Sequence, residues 1–426
     1  LTAFTHNAIG TCITGALGNL YAAAIAAAIC IFALPAFFFG MITPYVIRLR
    51  IASIDTAGAT VGRLYALSTA GSILGTFLGG FILISFFSST SILWGAAMVM
   101  LGLALANSVR RPWPRLALLG LFLFLAWQDH AYLQWLQAKG GPMLIESPYN
   151  SIRIMEGTDP RFGNARVRLL ATDPGYTQSG MLIDNPDELY FQYTRYYGLG
   201  PRYVPDAKSV LMLGGGGYSV PKWLLSDKSG LENLASVDVV EIDPVMTALA
   251  SKLFNLPNDP RLAIRHEDGR AFLNNQNKQY DLVFVDVFNS HYSVPFHMGT
   301  REAAKAMRRA VAPGGALLMN IISAIEGEDG RLFQSIWQAI DAEFGETRIY
   351  SVGYPDQPEK VQNIMLVAFP EAGRKAQSRF HAGASPDARE VEQMEERLYT
   401  RKIEPLVPPL SDDFAPVDRY ALMLTR

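Results

Sequence analysis

Residues 209–217 read Ser-Val-Leu-Met-Leu-Gly-Gly-Gly-Gly, a short apolar run followed directly by four glycines. An apolar run of this length that ends in a turn signal is typical of a buried strand. Glycines at the end of a strand let the backbone approach a ligand closely, with the N-terminus of the next helix facing the same point. The segment therefore predicts a strand and a ligand-binding turn, with Gly214, Gly215 and Gly216 as binding residues.

The chain continues this pattern of strands and helices beyond the glycine turn. Further buried strands are predicted at 237–241, 262–265, 281–286 and 316–321. Helical patterns separate them, at 220–225, 244–254, 270–275 and 301–310. Strands and helices that alternate at this spacing indicate an α/β domain with a doubly wound, Rossmann-like parallel sheet. Ligands of such sheets bind at the carboxyl ends of the strands.

Acidic residues fall at those strand ends. Glu241 ends the second strand, where a carboxylate can accept both hydroxyls of a ribose. Asp268 and Gly269 follow the third strand, and Asp286 ends the fourth. Because the carboxyl ends of neighbouring parallel strands share one edge of the sheet, we expect these side chains to converge with the glycine turn. The sequence thus predicts a nucleoside-binding crevice.

Several other classes of site lack their signals. The net charge of -2 gives no clustered cations for nucleic acid, so no nucleic-acid partner is expected. No lysine follows the glycines as in a P-loop. A nicotinamide dinucleotide stays open, although adenosine without a pyrophosphate fits better. His266, His291 and His297 show no metal-ligand spacing, so no metal is expected and they are interpreted as ordinary loop histidines.

The first third of the chain is strongly apolar. The protein has 37 basic and 39 acidic residues, yet positions 1–109 contain only four of them. A bilayer core about 30 Å thick needs roughly 20 apolar helical residues to cross it. Residues 20–42 meet that length, and 64–109 can hold two more spans with a turn at 88–91. We therefore predict a multi-pass protein of the cell membrane, and we expect further sequence before Leu1.

Arginines set the expected orientation of these spans. One cluster of arginines precedes two predicted crossings, namely Arg48, Arg50 and Arg63, and a second cluster follows them, namely Arg110, Arg111 and Arg115. Both clusters should therefore lie on the cytoplasmic side of the membrane. Residues 116–127 either lie along the membrane interface or cross it through Leu136, if Asp129 and His130 are tolerated. We expect the remainder of the chain in the cytoplasm because a nucleoside cofactor is made there.

Three glycines recur every fourth residue within the second span: Gly71, Gly75 and Gly79. This spacing puts them on one helix face, where a second helix can approach closely. The pattern predicts a packed partner helix, which could come from this chain, from spans before Leu1, or from a second copy in a homo-oligomer.

An ordered set of motifs extends beyond the glycine turn. The motifs are Glu-Ser-Pro-Tyr-Asn-Ser-Ile at 146–152, Asp187-Glu188 before an aromatic helix, Gly214 to Gly217, Val-Glu-Ile-Asp at 240–243, Asp-Gly-Arg-Ala-Phe-Leu at 268–273, and 280–286. Together they resemble the polyamine aminopropyltransferases, the spermidine synthase family. Residues 62–66 and 411–417 resemble segments of its membrane-fused form, in which transporter-like helices precede the synthase.

The resemblance implies a domain organisation of four regions. A transmembrane helical region would occupy 1–136, and a small N-terminal β domain 137–200. A Rossmann-like catalytic domain of the S-adenosylmethionine-dependent transferase type would occupy 201–370, and a C-terminal helical tail 371–426.

The resemblance also implies a reaction: transfer of an aminopropyl group from decarboxylated S-adenosylmethionine to a polyamine-type amine. Glu241 should then hold the ribose and Asp268, beside Gly269, the adenine amino group. Asp286 should accept or relay the proton of the attacking amine, while Asp187 anchors the amine. Tyr149, Asn150 and Asn289 complete the expected substrate-binding residues.

The chain also departs from the family's pattern on the acceptor side. Asn289 stands where a second aspartate is usual, and Tyr193 where the acceptor-side helix often carries glutamate. Fewer carboxylates offset less of the desolvation of each ammonium, so a diamine is not secure as substrate. Two alternatives therefore stay open: a methyltransferase that uses S-adenosylmethionine itself, and a non-catalytic transporter or sensor that binds a polyamine or nucleoside.

Overall fold

The computed structural model describes residues 13, 20–51, 53–87, 89–107, 112–138, 141–172, 177–287, 295–376 and 383–421. The chain folds as two compact units. The first comprises Leu1–Gly141 with Glu146–Asn150, and the second Pro142–Ile145 with Ser151–Arg426. The boundaries expected for the four regions stay predictions.

The first unit is built from helices. Its helices are α1 (Leu20–Arg50), α2 (Ile54–Phe77), α3 (Ser89–Asn107) and α4 (Pro112–Ala138). α2 continues through a π-helical segment, Leu78–Leu83, and a last α-helical turn, Ile84–Phe86. Among the residues that the structure describes, three stretches are long and apolar enough to cross a membrane: Ala22–Arg50, Thr56–Phe86 and Ser89–Ala106. The three apolar spans predicted from the sequence are therefore helices of sufficient length.

Large apolar side chains on these helices face outward. Leu74 is 69% exposed and Phe86 is 70% exposed. A helix of a water-soluble protein usually turns its apolar stripe toward a core, whereas the described side chains of these helices leave large apolar surface exposed.

The glycines of the second span do not meet a partner among the described residues. A Cβ added at Gly71, Gly75 or Gly79 would have no atom within 4 Å. Gly79 also lies in the π-helical segment, where the turn is wider than in an α-helix. The partner helix predicted from this spacing stays a prediction.

α4 is one continuous helix of 27 residues, about 40 Å long at 1.5 Å per residue. Its apolar part is limited to Leu116–Leu125. The helix is long enough to cross a bilayer, but its apolar segment is half the length of a usual span. Both alternatives for residues 116–127 therefore stay open.

The second unit contains two sheets. The smaller has four strands in the order β1-β2-β3-β4: β1 (Met143–Glu146), β2 (Ser151–Asp159), β3 (Ala165–Ala171) and β4 (Ser179–Leu182). β2, β3 and β4 are antiparallel. Ile152, Ile154, Leu170 and Met181 of this sheet pack against Leu249, which belongs to the domain that follows. A small β region therefore precedes the α/β domain, as expected.

The larger sheet has seven strands in the order β10-β11-β9-β8-β5-β6-β7. The strands are β5 (Ser209–Leu213), β6 (Ser236–Val240), β7 (Leu262–Arg265), β8 (Tyr280–Val285), β9 (Val311–Ser323), β10 (Glu346–Ser351) and β11 (Gln362–Phe369). Strands β5 to β9 are parallel, as predicted. β11 is antiparallel to both β9 and β10, so the sheet is mixed at this edge, beyond the parallel strands that the sequence predicts. No helix connects β10 to β11, and such a short connection permits only antiparallel pairing.

Helices cover both faces of this sheet. They are α5 (Gln192–Arg195), α6 (Leu199–Tyr203), α7 (Ser219–Leu225), α8 (Pro244–Leu253), α9 (Gly269–Asn275), α10 (Arg301–Ala310), α11 (Arg331–Asp341), α12 (Ala388–Glu395) and α13 (Val417–Ala421). Leu211 and Leu213 of β5 belong to one buried apolar cluster, and Val210 and Met212 to another. Since successive strand residues point to opposite faces, the sheet is buried on both sides. The Rossmann-like arrangement predicted from the sequence is confirmed.

An ion-pair cluster ties the C-terminal tail to α5. Nη1 of Arg195 lies 2.5 Å from Oε1 of Glu188, and Arg195 also pairs with Glu390 of α12. Lys228 donates to the other oxygen of Glu188 at 3.0 Å. Since Arg195 is the last residue of α5, the tail holds this short helix in place.

Candidate active site

The glycine turn after β5 requires glycine for two physical reasons. Gly214 has φ +91°, a conformation that L side chains rarely adopt. A Cβ at this position would also lie 2.3 Å from the carbonyl oxygen of Asp286. At the other end of the turn, the N–H of Gly217 donates to Oγ of Ser179 at 2.8 Å. The turn therefore packs directly against Asp286, the residue that follows β8, and against Ser179 of β4.

Glu241 holds this turn from the neighbouring strand. Its side chain is buried, with 7% exposure. Oε2 accepts the N–H groups of Gly215 and Gly216 at 2.8 and 3.1 Å, and Oε1 accepts that of Asp243 at 2.9 Å. A carboxylate has about four acceptor positions. One is thus left for a ribose hydroxyl, and a second hydroxyl would have to replace a glycine N–H.

Asp268 is engaged at both oxygens. Oδ1 accepts the N–H groups of Arg270 and Ala271 at 2.9 Å each, which caps α9. Oδ2 lies 2.9 Å from Nε2 of His297. The oxygen that faces away from the helix is the one expected to meet an adenine amino group. In this structure it is bonded to His297, which the sequence interpretation took for an ordinary loop histidine.

Asp286 is fixed by a donor on each carboxylate oxygen. Nδ2 of Asn320 donates to Oδ1 at 3.1 Å, and the hydroxyl of Tyr193 donates to Oδ2 at 3.3 Å. Burial raises the pKa of Asp286 to about 6, although both donors act in the opposite direction. Burial also raises the pKa of Tyr193 well above its usual value, so its hydroxyl stays a donor. Asp286 is therefore an oriented carboxylate that is ionised at neutral pH.

Two cavities meet at Asp286. A cavity of about 510 Å³ has Asp286, Tyr193 and Asn320 in its wall. A smaller one is lined by Asp286 together with Gly215 of the glycine turn. Both include Gln178 and Phe191. Asp286 thus lies between the glycine turn on one side and a larger cavity on the other, while Glu241 and Asp268 line neither cavity.

The aromatic segment before β5 supplies part of this wall. Phe191 and Tyr193 line the larger cavity, and Tyr197 is fully buried with its hydroxyl donating to the carbonyl of Val285 at 2.8 Å. This segment is the aromatic helix of the sequence motifs, which in the structure consists of α5 and its flanking turns.

The structure does not bring Asp187 to Asp286. Asp187 lines neither cavity and its charge acts on Lys222 of α7. Nζ of Lys222 donates to the carbonyls of Pro186 and Phe254, and burial lowers the pKa of Lys222 to about 8. The amine-anchoring role expected of Asp187 stays a prediction, and this position gives it no support.

The remaining substrate-binding predictions cannot be connected to these cavities. Tyr149 and Asn150 belong to the first unit, where the N–H groups of both donate to Oγ of Ser147 in a tight turn. Asn289 lies outside the described residues. Their roles stay predictions.

Three residues of the site escaped the sequence interpretation: Ser179, His297 and Asn320. Asn320 had a signal, because it interrupts the otherwise apolar run Leu-Leu-Met-Asn-Ile-Ile at 317–322 and is 2% exposed. A polar residue buried in a core strand needs a partner, which here is Asp286. Ser179 and His297 had no such signal.

Residues 197–369 match the family described as the spermine/spermidine synthase domain. Glu241, Asp268, Asp286 and Asn320 all lie within these matched residues.

Among curated proteins, two relatives are similar in sequence to part of this chain. A polyamine aminopropyltransferase of Vibrio vulnificus is 30% identical over 138 residues, which are 32% of this chain and 44% of the relative. A probable polyamine aminopropyl transferase of Bifidobacterium longum is 26% identical over 191 residues, 45% of this chain and 40% of the relative. The chain therefore spans less than half the length of these two relatives.

Solved structures that superpose on part of this chain include two described as spermidine synthases. A probable spermidine synthase from Corynebacterium glutamicum has 21% identity and a TM-score of 0.47, covering 60% of this chain and 86% of its own. Spermidine synthase from Thermotoga maritima has 19% identity and a TM-score of 0.42, covering 66% and 86%.

Proposed function

We propose that the protein is a membrane-anchored aminopropyltransferase, which transfers the aminopropyl group of decarboxylated S-adenosylmethionine to a polyamine-type amine. The observation that carries this proposal is the position of Asp286, between the glycine turn and the larger cavity. A donor nucleoside at the turn and an amine in the cavity would meet at this carboxylate. The synthase domain and the aminopropyltransferase names of the relatives support the same reaction.

The reaction is a direct displacement. The amine nitrogen attacks the carbon next to the sulfonium, a C–N bond forms as the C–S bond breaks, and 5'-methylthioadenosine leaves as a neutral thioether. The nitrogen loses one proton, so it must be held in line and unprotonated when it attacks. Asp286, with a pKa of about 6, is ionised at neutral pH and can accept a hydrogen bond and the proton from that nitrogen.

On the donor side, we propose that Gly214, Gly215 and Gly216 give close backbone approach and Glu241 accepts a ribose hydroxyl. Asp268, followed by Gly269, would take the adenine amino group once His297 releases Oδ2. Tyr149, Asn150 and Asn289 stay predicted acceptor residues.

The charge around Asp286 favours the decarboxylated donor. Among the described residues that line the two cavities, Arg161 is the one cationic side chain. It already pairs with Asp159 at 2.6 Å and is also bonded to Tyr190. The carboxylate of S-adenosylmethionine would thus lie near an ionised Asp286 without a free cation to offset it, whereas the decarboxylated donor has no such group.

The experiment is an assay of the full chain in detergent or native membranes. The protein is incubated with each donor and a panel of amines, and release of 5'-methylthioadenosine is measured beside methylated products. Release with the decarboxylated donor and tighter calorimetric binding of that donor are the expected results. Methylation with S-adenosylmethionine would replace the proposal by the methyltransferase alternative, and absence of any product would leave only a binding function.

Membrane anchorage has its own test. The exposed apolar surface of the first unit leads us to propose a multi-pass anchor with the synthase domain in the cytoplasm. The chain should stay in the membrane pellet after extraction with alkaline carbonate. A C-terminal fluorescent protein should mature, while a C-terminal alkaline phosphatase should be inactive; the reverse pair of results would place the domain on the opposite side.

A further inference from the structure

The sheet places three polar side chains on one face beside the larger cavity. In β8 and β9, Phe284 pairs with Leu318, so Asp286 and Asn320 lie two residues further along their strands on the same face. Asn363 of β11 pairs with Ile322, two residues beyond Asn320. Asp286, Asn320 and Asn363 therefore share one face at the same end of the sheet, and all three line the cavity.

The cavity wall is rich in amides and poor in carboxylates. Its amide side chains are Gln178, Gln192, Asn320, Gln362 and Asn363. Among the described residues of this wall, Asp286 is the one acidic side chain and Arg161 the one basic side chain. A second positive charge in the cavity would therefore find no second carboxylate among these described residues.

Three of these amides have an acceptor without a partner. Oε1 of Gln178, Oδ1 of Asn320 and Oδ1 of Asn363 are buried and form no hydrogen bond within the described chain. The orientation of Asn320 is fixed, because its Nδ2 donates to Asp286. Buried acceptors are rarely left unpaired in folded proteins. A ligand that donates hydrogen bonds to neutral amide oxygens would satisfy them.

We propose that the acceptor is an amine with one cationic nitrogen and a neutral, hydrogen-bond-donating remainder, such as an amino alcohol or a mono-acylated diamine. This inference rests on the proposed function. The reacting nitrogen lies at Asp286 and Oδ1 of Asn320, and the donor groups of the remainder meet Gln178 and Asn363. Amide oxygens accept hydrogen bonds without supplying the charge that a second ammonium needs on leaving water.

The test compares acceptors of matched length. 1,4-Diaminobutane, its mono-N-acetyl derivative, 4-aminobutan-1-ol and butylamine are assayed at equal pH with decarboxylated S-adenosylmethionine. The acetylated amine and the amino alcohol should have a kcat/KM at least tenfold above that of the diamine, and butylamine should be poor because it has no donor at its far end. A diamine equal to or better than both neutral-ended amines would overturn the inference.

Single charge-adding variants give the second arm. Asn363→Asp and Gln178→Glu should each raise the rate ratio of diamine to acetylated amine by tenfold or more. Gln192→Glu is the matched control, since it adds the same charge at an exposed position of the same wall and should change the ratio by less than threefold. Unchanged ratios in both buried variants, with donor binding intact by calorimetry, would contradict the inference.

Two further measurements separate the outcomes. The segments 173–176 and 288–294, which the structure does not describe, contain one acidic residue, Asp173. Asp173→Asn should leave the preference unchanged; a preference that depends on Asp173 would overturn the inference. Calorimetric binding of each amine with 5'-methylthioadenosine present tests the same ranking without turnover. No release with any amine would count against aminopropyl transfer, whereas release with preference for the diamine would overturn the acceptor class alone.

Discussion

The proposed donor side and the proposed acceptor side of this site are built in different ways. Glu241 and Asp268 are held mostly by backbone N–H groups within a few residues of their own strand ends or of the glycine turn. Asp286 is held by side chains from α5 and β9, far away in the sequence. Backbone-built parts depend on strand ends and turns, whereas side-chain-built parts depend on tertiary packing. The first kind can change little without loss of the fold, and the second can be altered residue by residue.

The largest effect should follow from the residue at which the two sides meet. We expect Asp286→Asn to lower kcat by about 10²- to 10⁴-fold, because an amide cannot take the proton of the attacking nitrogen. Asp227→Asn, an exposed aspartate of the same domain, should leave the rate unchanged. The 5'-methylthioadenosine assay measures both, and an active Asp286→Asn would remove this carboxylate from the chemistry.

The stability of this variant serves as its folding control. The folded-state pKa of Asp286 is raised above the usual 3.8, so its contribution to stability is complete below about pH 4 and is lost as the pH rises through about 6. Asn removes this loss, so the Tm of Asp286→Asn at pH 8 should be equal to or above that of the parent protein. A lower Tm would mean that the rate loss reports misfolding.

The next effect should appear on the donor side. In Glu241→Gln, the amide NH2 cannot accept the N–H groups that both carboxylate oxygens now accept. A buried N–H group left without a hydrogen-bond acceptor costs about 1–3 kcal/mol. The Kd of the aminopropyl donor should therefore rise about 10- to 100-fold. The KM of the amine should stay nearly constant. Calorimetry measures the Kd of the aminopropyl donor. If the KM of the amine rises by the same factor, the proposed donor and acceptor sides are not independent.

A smaller and more specific effect is expected at Tyr193. The hydroxyl of Tyr193 donates to Asp286 and lowers its pKa against the effect of burial. Tyr193→Phe should therefore raise this pKa and move the acidic limb of the pH–rate profile from about 6 to higher pH. At 3.3 Å the bond is long, and we expect a shift of up to about one pH unit. An unchanged acidic limb of the pH–rate profile would show that Tyr193 does not set the pKa of Asp286.

His297→Ala tests whether Asp268 is available to the donor. Removal of the imidazole frees Oδ2, which should strengthen donor binding by about two- to threefold, a change of less than 1 kcal/mol at a bond now 2.9 Å long. Weaker donor binding would instead make His297 part of the donor site. Calorimetry at fixed pH distinguishes the two.

The smallest effect should come from Asp187. Since it lines neither cavity around Asp286, Asp187→Asn should change the KM of the amine by less than twofold. A tenfold increase would restore the anchoring role that the family resemblance implies.

The predictability of the molecule follows the same division. The parallel strands and their strand-end acids could be predicted, because apolar runs, glycines and terminal carboxylates are local signals. Strands β10 and β11 were not predicted, since the direction of β11 depends on its pairing with β9 and that of β10 on its pairing with β11. The contacts of Asn320, Ser179 and His297 were not predicted either, because each partner lies more than 25 residues away in the sequence. Local sequence patterns do not show which residues far apart in the sequence become neighbours in the fold.

The attachment of the tail to α5 has a consequence for regulation. Tyr193, which donates a hydrogen bond to Asp286, lies only two positions before Arg195, which pairs with Glu390. Any event that loosens α12, such as a partner that recruits Glu390 or a cut in the tail, would be transmitted to Asp286 through α5. The pairing of Glu390 with Arg195 therefore gives α12 a route to control the proposed activity.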